Sequence, residues 1–250
     1  MPRYFLEVSY KGSRYAGFQI QENANTVQAE VENALKVYFR QRFELTGSSR
    51  TDAGVHAFQN FFHFDQEVLL SDDILLNAPY HLNAILPDDI VIKSLKKVND
   101  DFHCRFDALS REYQYCLYRE KDPFMQDRGY FFPFRLDFGR MQEAAGEVMR
   151  HEYFAAFSKK HSQVKTFSCN VLRSEWRQEG QVLMYRVEAN RFLRGMVRGL
   201  VGTMLRVGTG KLSVEDFGRL IEAGDQTKAD FSAPPLGLFL VRVNFSTAGS

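Results

Sequence analysis

A single carboxylate lies in the small-residue stretch GSSRTDAGVHAF, Gly47–Phe58. Asp52 follows Arg50 by two residues, and the surrounding glycines and serines predict a loop rather than a helix. A cation within about 4–6 Å lowers the pKa of an aspartate by roughly 1–3 units, which keeps it ionised where water is excluded. Such an aspartate can serve as a nucleophile or a general base and needs no metal or cofactor.

Other interpretations of Asp52 compete with catalysis. An aspartate in a glycine-containing loop often bonds to its own turn backbone, and the loop alone leaves that interpretation open. Asp52, His56 and His63 could ligate a divalent ion, although their spacing matches no common metal motif. A glycosidase-like pair needs a second acid, for which Asp65 is the nearest candidate. A serine nucleophile lacks its usual GxSxG context.

A second candidate lies in LSREYQYCLY, Leu109–Tyr118, which reads as a strand. Strand alternation places Arg111, Tyr113 and Tyr115 on one face. A tyrosine beside an arginine suits stacking on a nucleobase, which is worth about 1–3 kcal/mol per base. The competing interpretation is a core tyrosine with one hydrogen bond, which is the commoner situation.

A third candidate is the arginine-rich stretch NRFLRGMVRGLVGTMLR. Its apolar spacing predicts a long amphipathic helix over about 191–206, with Arg191, Arg194 and Arg198 sharing the polar side. Arginine is suited to forked contacts with phosphate, so we interpret Arg191 and Arg194 as substrate contacts. An ordinary solvated helix face is the alternative.

The overall charge restricts how nucleic acid could be bound. The net charge is +1, from 32 basic and 31 acidic side chains, so binding must come from local basic regions. Residues 186–206 contain five arginines and one acid, and the segment Ser158–Thr166 is a second basic region. Together these regions make an RNA-binding surface a reasonable hypothesis.

Composition sets the protein class. The 250 residues are 44% hydrophobic and 25% charged, which is typical of a globular protein with one large or two modest domains. The three cysteines are odd in number and lack a CxxC pair, which favours reduced thiols in a cytoplasmic protein over disulfides or a cysteine zinc site. We predict no signal peptide and no membrane span.

Periodicity predicts the elements that must position these residues. The predicted strands are 3–10, 58–64, 90–98, 109–118 and 236–245, with a hairpin that turns at Glu179-Gly180. The predicted helices are 26–42, one starting at Ser71, 137–150, 191–206 and 213–223. This order predicts an α+β fold around a largely antiparallel sheet. We predict a domain boundary near residue 108. The N-terminal half, 1–108, would carry the aspartate loop, and the C-terminal half, 109–250, would carry the tyrosine strand and the arginine helix.

The segment GSSRTDAGVHA resembles the GRTDAGVHA signature of tRNA pseudouridine synthases that act at positions 38, 39 and 40 of the anticodon arm. Further segments are similar to that family in the same order, so the resemblance covers essentially the whole chain. They are SYKGSRYAGFQIQENANTVQAEVENAL, LNAILPDDIVI, DDFHCRFDALSREYQYCLY, ANRFLRGMVRGLVGTMLRVG and APPLGLFLV.

The resemblance implies a pseudouridine synthase fold with two ferredoxin-like halves and a central cleft. It also implies a homodimer that clamps one tRNA by its anticodon stem-loop and uses neither cofactor nor metal. By motif matching, Asp52 corresponds to the catalytic aspartate and Arg50 to the arginine that precedes it. Tyr113 corresponds to the tyrosine over the target base, and Arg198 to the arginine that pairs with the aspartate.

The chain departs from the family pattern at three positions. It has Lys11 where the family usually has aspartate, Phe18 in place of tryptophan and Ser49 in place of glycine. None of these is one of the four matched residues. Two other functions also fit the same residues: a non-catalytic RNA-binding module, and a metal-assisted phosphoesterase that uses Asp52 and His56.

Overall fold

The computed structural model describes residues 1–159 and 164–246, and the chain forms two compact units. The first unit is Met1–Leu109 together with the segment that begins at Leu240, and the second is Ser110–Phe239. The sequence predicts two continuous halves, 1–108 and 109–250. The first unit of the structure differs from this because it also includes the end of the last strand.

The elements of the first unit are β1 (Arg3–Tyr10), α1 (Val27–Phe39), β2 (Thr46–Gly47), β3 (His56–Asp65), α2 (Asp72–Ile85), β4 (Ile90–Val98) and, from Leu240 on, β9 (Leu238–Phe245). The unit is built around a sheet with strand order β4-β1-β3-β9. Strand β1 pairs antiparallel with both β3 and β4, and the short strand β2 pairs antiparallel with β3.

Local sequence explains where the helices of the first unit begin. The hydroxyl oxygen of Thr26 accepts a hydrogen bond from the Ala29 N–H, and that of Ser71 accepts one from the Ile74 N–H. Each cap satisfies a backbone donor that the first helical turn leaves without a partner. The predicted starts of both helices are therefore confirmed.

In the described residues of the second unit, the elements are β5 (Ala108–Tyr118, in this unit from Ser110), β6 (Tyr130–Phe131), α3 (Phe138–Val148), β7 (Val171–Glu179), β8 (Val182–Ala189), α4 (Met196–Gly208) and α5 (Val214–Ala223). The sheet of this unit has the order β5-β8-β7. Strand β8 pairs antiparallel with β5 and β7, while the short β6 runs parallel to β5. The α+β class, the mainly antiparallel pairing and the hairpin between β7 and β8 are confirmed.

The predicted start of the arginine helix was wrong. Helix α4 begins at Met196 because Gly195 adopts a left-handed conformation with φ of +77° directly before it. The Met196 N–H donates to the Leu193 carbonyl oxygen at 3.0 Å, which closes a turn there. Arg191 and Arg194 therefore lie in an irregular segment and share no helix face with Arg198.

Helix α4 is also more deeply buried than an amphipathic pattern implies. All of its residues are buried except Arg198 and Arg206, which are half-buried. The backbone of α4 runs close to the segment before β9, since a Cβ on Gly202 would overlap the Asp230 carbonyl oxygen. The small residues in this stretch therefore allow close packing.

Two further sequence predictions concern the second basic region and membrane-spanning helices. Residues 160–163 of the basic segment Ser158–Thr166 lie outside the described residues. Within the described ranges, no helix is both long enough and apolar enough to cross a membrane.

Candidate active site

Asp52 lies in the loop between β2 and β3, as predicted, and is half-buried. Its carbonyl oxygen accepts a hydrogen bond from the Val55 N–H at 3.2 Å, across a turn that contains Gly54 at φ +79°. The aspartate therefore projects from a tight turn and not from a helix or strand. Its orientation depends on the contacts that hold the loop.

A buried polar network holds the first part of this loop. The side-chain amide of Asn60 donates to the Ser49 carbonyl oxygen at 2.9 Å and to the Tyr10 hydroxyl at 3.2 Å. The Tyr10 hydroxyl also lies 2.8 Å from the hydroxyl of Thr51, the residue directly before Asp52. Because all these side chains are buried, loss of one partner would leave others without a hydrogen bond.

The segment between β1 and α1 holds the loop through backbone contacts. The Phe18 N–H donates to the Thr51 carbonyl oxygen at 3.1 Å, and the Gly54 N–H donates to the Tyr15 carbonyl oxygen at 3.4 Å. These two bonds lie on either side of Asp52 in the sequence. The aspartate turn is therefore fixed from both β3 and the N-terminal segment.

Gly12 allows this close approach. A Cβ at position 12 would overlap the Val55 carbonyl oxygen, and the Gly12 N–H donates to His56 Nδ1 at 3.1 Å. Since Nδ1 accepts, the neutral ring of His56 carries its proton on Nε2. His56, a metal candidate from the sequence, is buried and helps to anchor the loop.

The three departures from the family pattern have different surroundings. Phe18 stacks on Phe62 with ring centroids 4.5 Å apart and an interplanar angle of 11°, so it keeps an aromatic contact beneath the loop. The backbone N–H of Lys11 donates to the Asp89 carbonyl oxygen at 2.9 Å. Within the described chain, the buried hydroxyl of Ser49 has no hydrogen-bond partner, and no contact explains its presence.

Arg50 is exposed and lines a pocket of about 200 Å³ on the first unit. Its guanidinium forms no ion pair or hydrogen bond with the residues that the structure describes. Arg50 therefore contributes a positive charge at the surface of the loop that carries Asp52.

The residues that could hold a metal in the first unit differ from those proposed from the sequence. Across the described residues, one group has ligand atoms that all lie within 4.8 Å of one another: His63, His103 and Cys104. Neither Asp52 nor His56 belongs to it. Burial, with a smaller effect of the nearby Arg3, lowers the pKa of His63 to about 4, so its ring is neutral near pH 7.

Asp65, the candidate second acid of a glycosidase-like pair, is engaged elsewhere. Its two carboxylate oxygens accept hydrogen bonds from Arg3 at 2.7 and 2.8 Å. The bond from Arg3 is the main reason that the pKa of Asp65 lies below its ordinary value. This forked pairing gives Asp65 a structural role.

Tyr113 lies on β5 in the second unit and is buried. Its ring meets that of Phe192 edge to face, with centroids 5.0 Å apart and an interplanar angle of 81°. Phe192 belongs to the irregular segment that precedes α4. The sequence therefore located the tyrosine on the correct strand but gave no sign of this aromatic neighbour.

Arg198 lies in the first turn of α4 and is half-buried. Its Nε donates to the Ala233 carbonyl oxygen at 2.6 Å, and its Nη2 donates to the Phe231 carbonyl oxygen at 3.4 Å. Backbone carbonyls of the segment before β9 thus orient the guanidinium. Asp230 anchors the same segment, since its N–H donates to the Thr203 hydroxyl of α4 at 3.0 Å.

Arg191 is half-buried and Arg194 is exposed, in the segment that leads into α4. The Arg194 carbonyl oxygen accepts a hydrogen bond from the Lys159 N–H at 3.0 Å, which fixes the backbone there. Burial raises the pKa of the Cys169 thiol to about 11, and the positive charge of Arg191 partly opposes that shift. Arg191 and Arg194 thus place two cations on a fixed stretch of chain.

The candidate residues fall into two sets by unit. Arg50 and Asp52 share one loop of the first unit, whereas Tyr113 and the three arginines Arg191, Arg194 and Arg198 belong to the second. The side chains that hold the aspartate loop were not predicted from the sequence; they are Tyr10, Thr51 and Asn60. Asn60 had one visible signal, because it is an amide inside the otherwise aromatic strand stretch FQNFFHF.

Comparison with known proteins identifies the family of the chain. A family model described as tRNA pseudouridine synthase matches residues 7–107 and 145–246. The chain is 43% identical to tRNA pseudouridine synthase A of Parabacteroides distasonis, over 98% of this chain and 96% of that protein. It is 45% identical to the enzyme of that name from Porphyromonas gingivalis, over 97% of each chain. It is 36% identical to tRNA pseudouridine synthase A of Staphylococcus aureus, over 96% of this chain and 90% of that protein.

Proposed function

Because the chain belongs to the tRNA pseudouridine synthase family, we propose that it converts uridine to pseudouridine at positions 38, 39 and 40 in the anticodon stem-loop of tRNA. Enzymes that catalyse this conversion are isomerases, because base and sugar are rejoined through a different atom. The observation that carries the proposal is the half-buried Asp52, on an RTDAG turn that is fixed from two sides.

The reaction defines what the protein must supply. The N1–C1′ bond of uridine breaks, the base turns, C5 bonds to C1′, and the proton on C5 is lost while N1 gains one. A base within a stacked stem cannot turn, so it must first be flipped out, which costs a few kcal/mol. Favourable contacts between arginines and phosphates offset that cost.

Each candidate residue has a role in this scheme. Asp52 acts as an anion, either by attacking the substrate covalently or by removing a proton from the sugar. By motif matching, we assign Arg50 the role of the family's arginine that precedes the aspartate, and Arg198 that of the arginine that pairs with it. Tyr113 stacks on the target base while it turns, and we assign phosphate contacts to Arg191 and Arg194.

The setting of the reaction is also part of the proposal. We propose that the protein acts on tRNA as a homodimer in the cytoplasm and requires neither cofactor nor metal. Its cysteines, Cys104, Cys116 and Cys169, form no disulfide, which suits a reducing compartment.

Release of tritium from tRNA labelled at C5 of uridine tests the proposal directly, because that hydrogen leaves only if C5 forms the new bond. We expect release by the unmodified protein and none above background by Asp52→Asn, with tRNA affinity unchanged within a few-fold. Asp101→Asn, at an exposed aspartate of the same unit, is the matched control and should release tritium normally.

Three outcomes would contradict the proposal in different ways. Normal release by Asp52→Asn would exclude the assigned mechanism. Binding of tRNA without any release by the unmodified protein would favour the non-catalytic RNA-binding module. Loss of activity on addition of a chelator would favour the metal-assisted phosphoesterase.

A further inference from the structure

The pocket beside the aspartate loop is made by two parts of the first unit that are distant in sequence. Arg50 and Gly47 come from the loop region, while His103, Arg105 and Phe106 come from the turn after β4. Its volume of about 200 Å³ is smaller than the roughly 300–1,000 Å³ of pockets for drug-sized ligands. A single planar group therefore suits it better than a whole cofactor.

The turn that bears Arg105 and Phe106 is held in place by its own hydrogen bonds. His103 Nδ1 accepts from the Arg105 N–H at 3.1 Å and from the Phe106 N–H at 3.4 Å. The Asp107 carboxylate accepts from the His103 N–H at 2.6 Å. A ligand that docks here does not have to order the backbone first, which lowers the entropic cost of binding.

Phe106 presents an aromatic surface to solvent. The side chain is 74% exposed, and its ring lies against that of His103 with centroids 4.2 Å apart. The Arg105 guanidinium carbon lies 5.8 Å from the Phe106 ring centroid. A rigid aromatic ring beside a cation is the combination on which single-stranded nucleic acid stacks.

We propose that this pocket binds one unstacked nucleotide of the tRNA substrate, with its base against Phe106 and its phosphate facing Arg50 and Arg105. The proposal rests on the proposed function, because that function makes RNA the ligand. It adds a subsite in the first unit that is separate from the base-stacking role assigned to Tyr113. Two guanidiniums give the pocket the charge that a phosphate needs, and stacking makes it tolerant of base identity.

A cycle that combines protein and RNA changes tests the subsite. The dissociation constant of an unmodified tRNA transcript is measured for the unmodified protein and for Phe106→Ala. The same pair is measured with transcripts that carry one abasic nucleotide at each position of the anticodon stem-loop in turn. We expect Phe106→Ala to weaken binding of the intact transcript about tenfold, in line with roughly 1–3 kcal/mol for a stacked base.

The decisive result is a single abasic position at which Phe106→Ala has no further effect, because the stacked base is then already missing. Phe106→Trp should restore affinity for the intact transcript, and Arg105→Gln should lower the salt dependence of binding by about one unit. Tyr80→Ala, at an aromatic residue of the same unit that is 77% exposed, is the control and should leave affinity unchanged.

Equal effects of Phe106→Ala at every abasic position, or no effect on the intact transcript, would overturn the subsite. A failure of the proposed function gives a different result, because it appears as absent tritium release by the unmodified protein. The binding cycle does not depend on turnover, so the two outcomes are distinguishable.

Discussion

The two units hold their candidate residues by different means. In the first unit, Asp52 projects from a loop that a buried network and the backbone of a distant segment keep in place. In the second unit, the backbone positions of Tyr113 and Arg198 follow from a strand and a helix, and two carbonyl oxygens of the segment before β9 orient the Arg198 guanidinium. The geometry of a loop residue therefore depends on scaffold residues that do no chemistry themselves.

This contrast predicts which substitutions away from the substrate should affect stability and turnover. Scaffold changes around the aspartate loop should reduce both stability and turnover, although they touch no substrate. In the segment before α4, Arg194 is exposed and Arg191 is half-buried, and both are read as contacts to RNA. Substitutions there should alter binding and leave stability nearly unchanged.

The largest effect on stability is expected at Gly12, where an added Cβ would overlap the Val55 carbonyl oxygen. Gly12→Ala should lower the free energy of unfolding by up to about 3 kcal/mol and reduce turnover as the loop shifts. Denaturant unfolding and tritium release measure the two effects. The control is Gly146→Ala in α3, where a Cβ meets nothing within 4 Å and should be neutral or stabilising by about 0.5–1 kcal/mol. Equal stability and turnover of Gly12→Ala and Gly146→Ala would show that the close approach at Gly12 does not hold the loop.

The next largest effect is a loss of kcat/KM on substitution of Tyr113, the candidate residue on strand β5. Tyr113→Phe keeps a ring for stacking and should retain more activity than Tyr113→Ala, which we expect to lose about tenfold to a hundredfold in kcat/KM. Circular dichroism must show that both variants remain folded, since the ring also packs against Phe192. Equal rates for the two variants would count against a stacking role.

A smaller effect is expected at Tyr10, whose hydroxyl contacts Thr51 and Asn60. Tyr10→Phe leaves buried polar groups with fewer partners and should cost about 1–3 kcal/mol of stability. Turnover should fall while tRNA affinity stays the same, because the change acts on the loop and not on the RNA surface. Tyr80→Phe, at an exposed ring, is the matched control for both measurements. Unchanged stability and turnover in Tyr10→Phe would show that the network does not fix the loop.

The smallest effect on the enzyme concerns Arg191 and Arg194. Each substitution by glutamine should reduce the slope of log affinity against log salt concentration by about one unit and leave the unfolding free energy unchanged. Arg150→Gln provides the control, because that exposed side chain is paired with Glu147 at 2.6 Å. If the slope for Arg191→Gln and Arg194→Gln matches the control, these arginines belong to an ordinary solvated surface.

Much of the fold could be predicted because the relevant signals are local. The alternation of β1 and β4 and the capping residues Thr26 and Ser71 are properties of a few consecutive residues. Helix α4 shows where this approach fails. Its apolar spacing continues upstream of Met196, but the left-handed conformation of Gly195 and the turn from Leu193 stop the helix there.

The candidate site, like the fold, has a part that could be predicted from local sequence and a part that could not. The motif letters were enough to select Asp52, Arg50, Tyr113 and Arg198 through the resemblance. The residues that hold the loop were not visible, because Tyr10 and Asn60 are 50 positions apart and meet only when β1 pairs with β3. Contacts of that kind follow from strand register and not from spacing.

Periodicity, capping residues and motifs involve neighbouring residues, so the α+β class, the family and most helix and strand positions could be predicted without a structure. The folded chain was needed to show which side chains fix the aspartate turn, where α4 begins, and that Arg50 shares a pocket with Arg105 and Phe106. These features arise when segments that are distant in sequence pack together. The energy of a contact depends on how close two groups are in space and not on their separation along the chain.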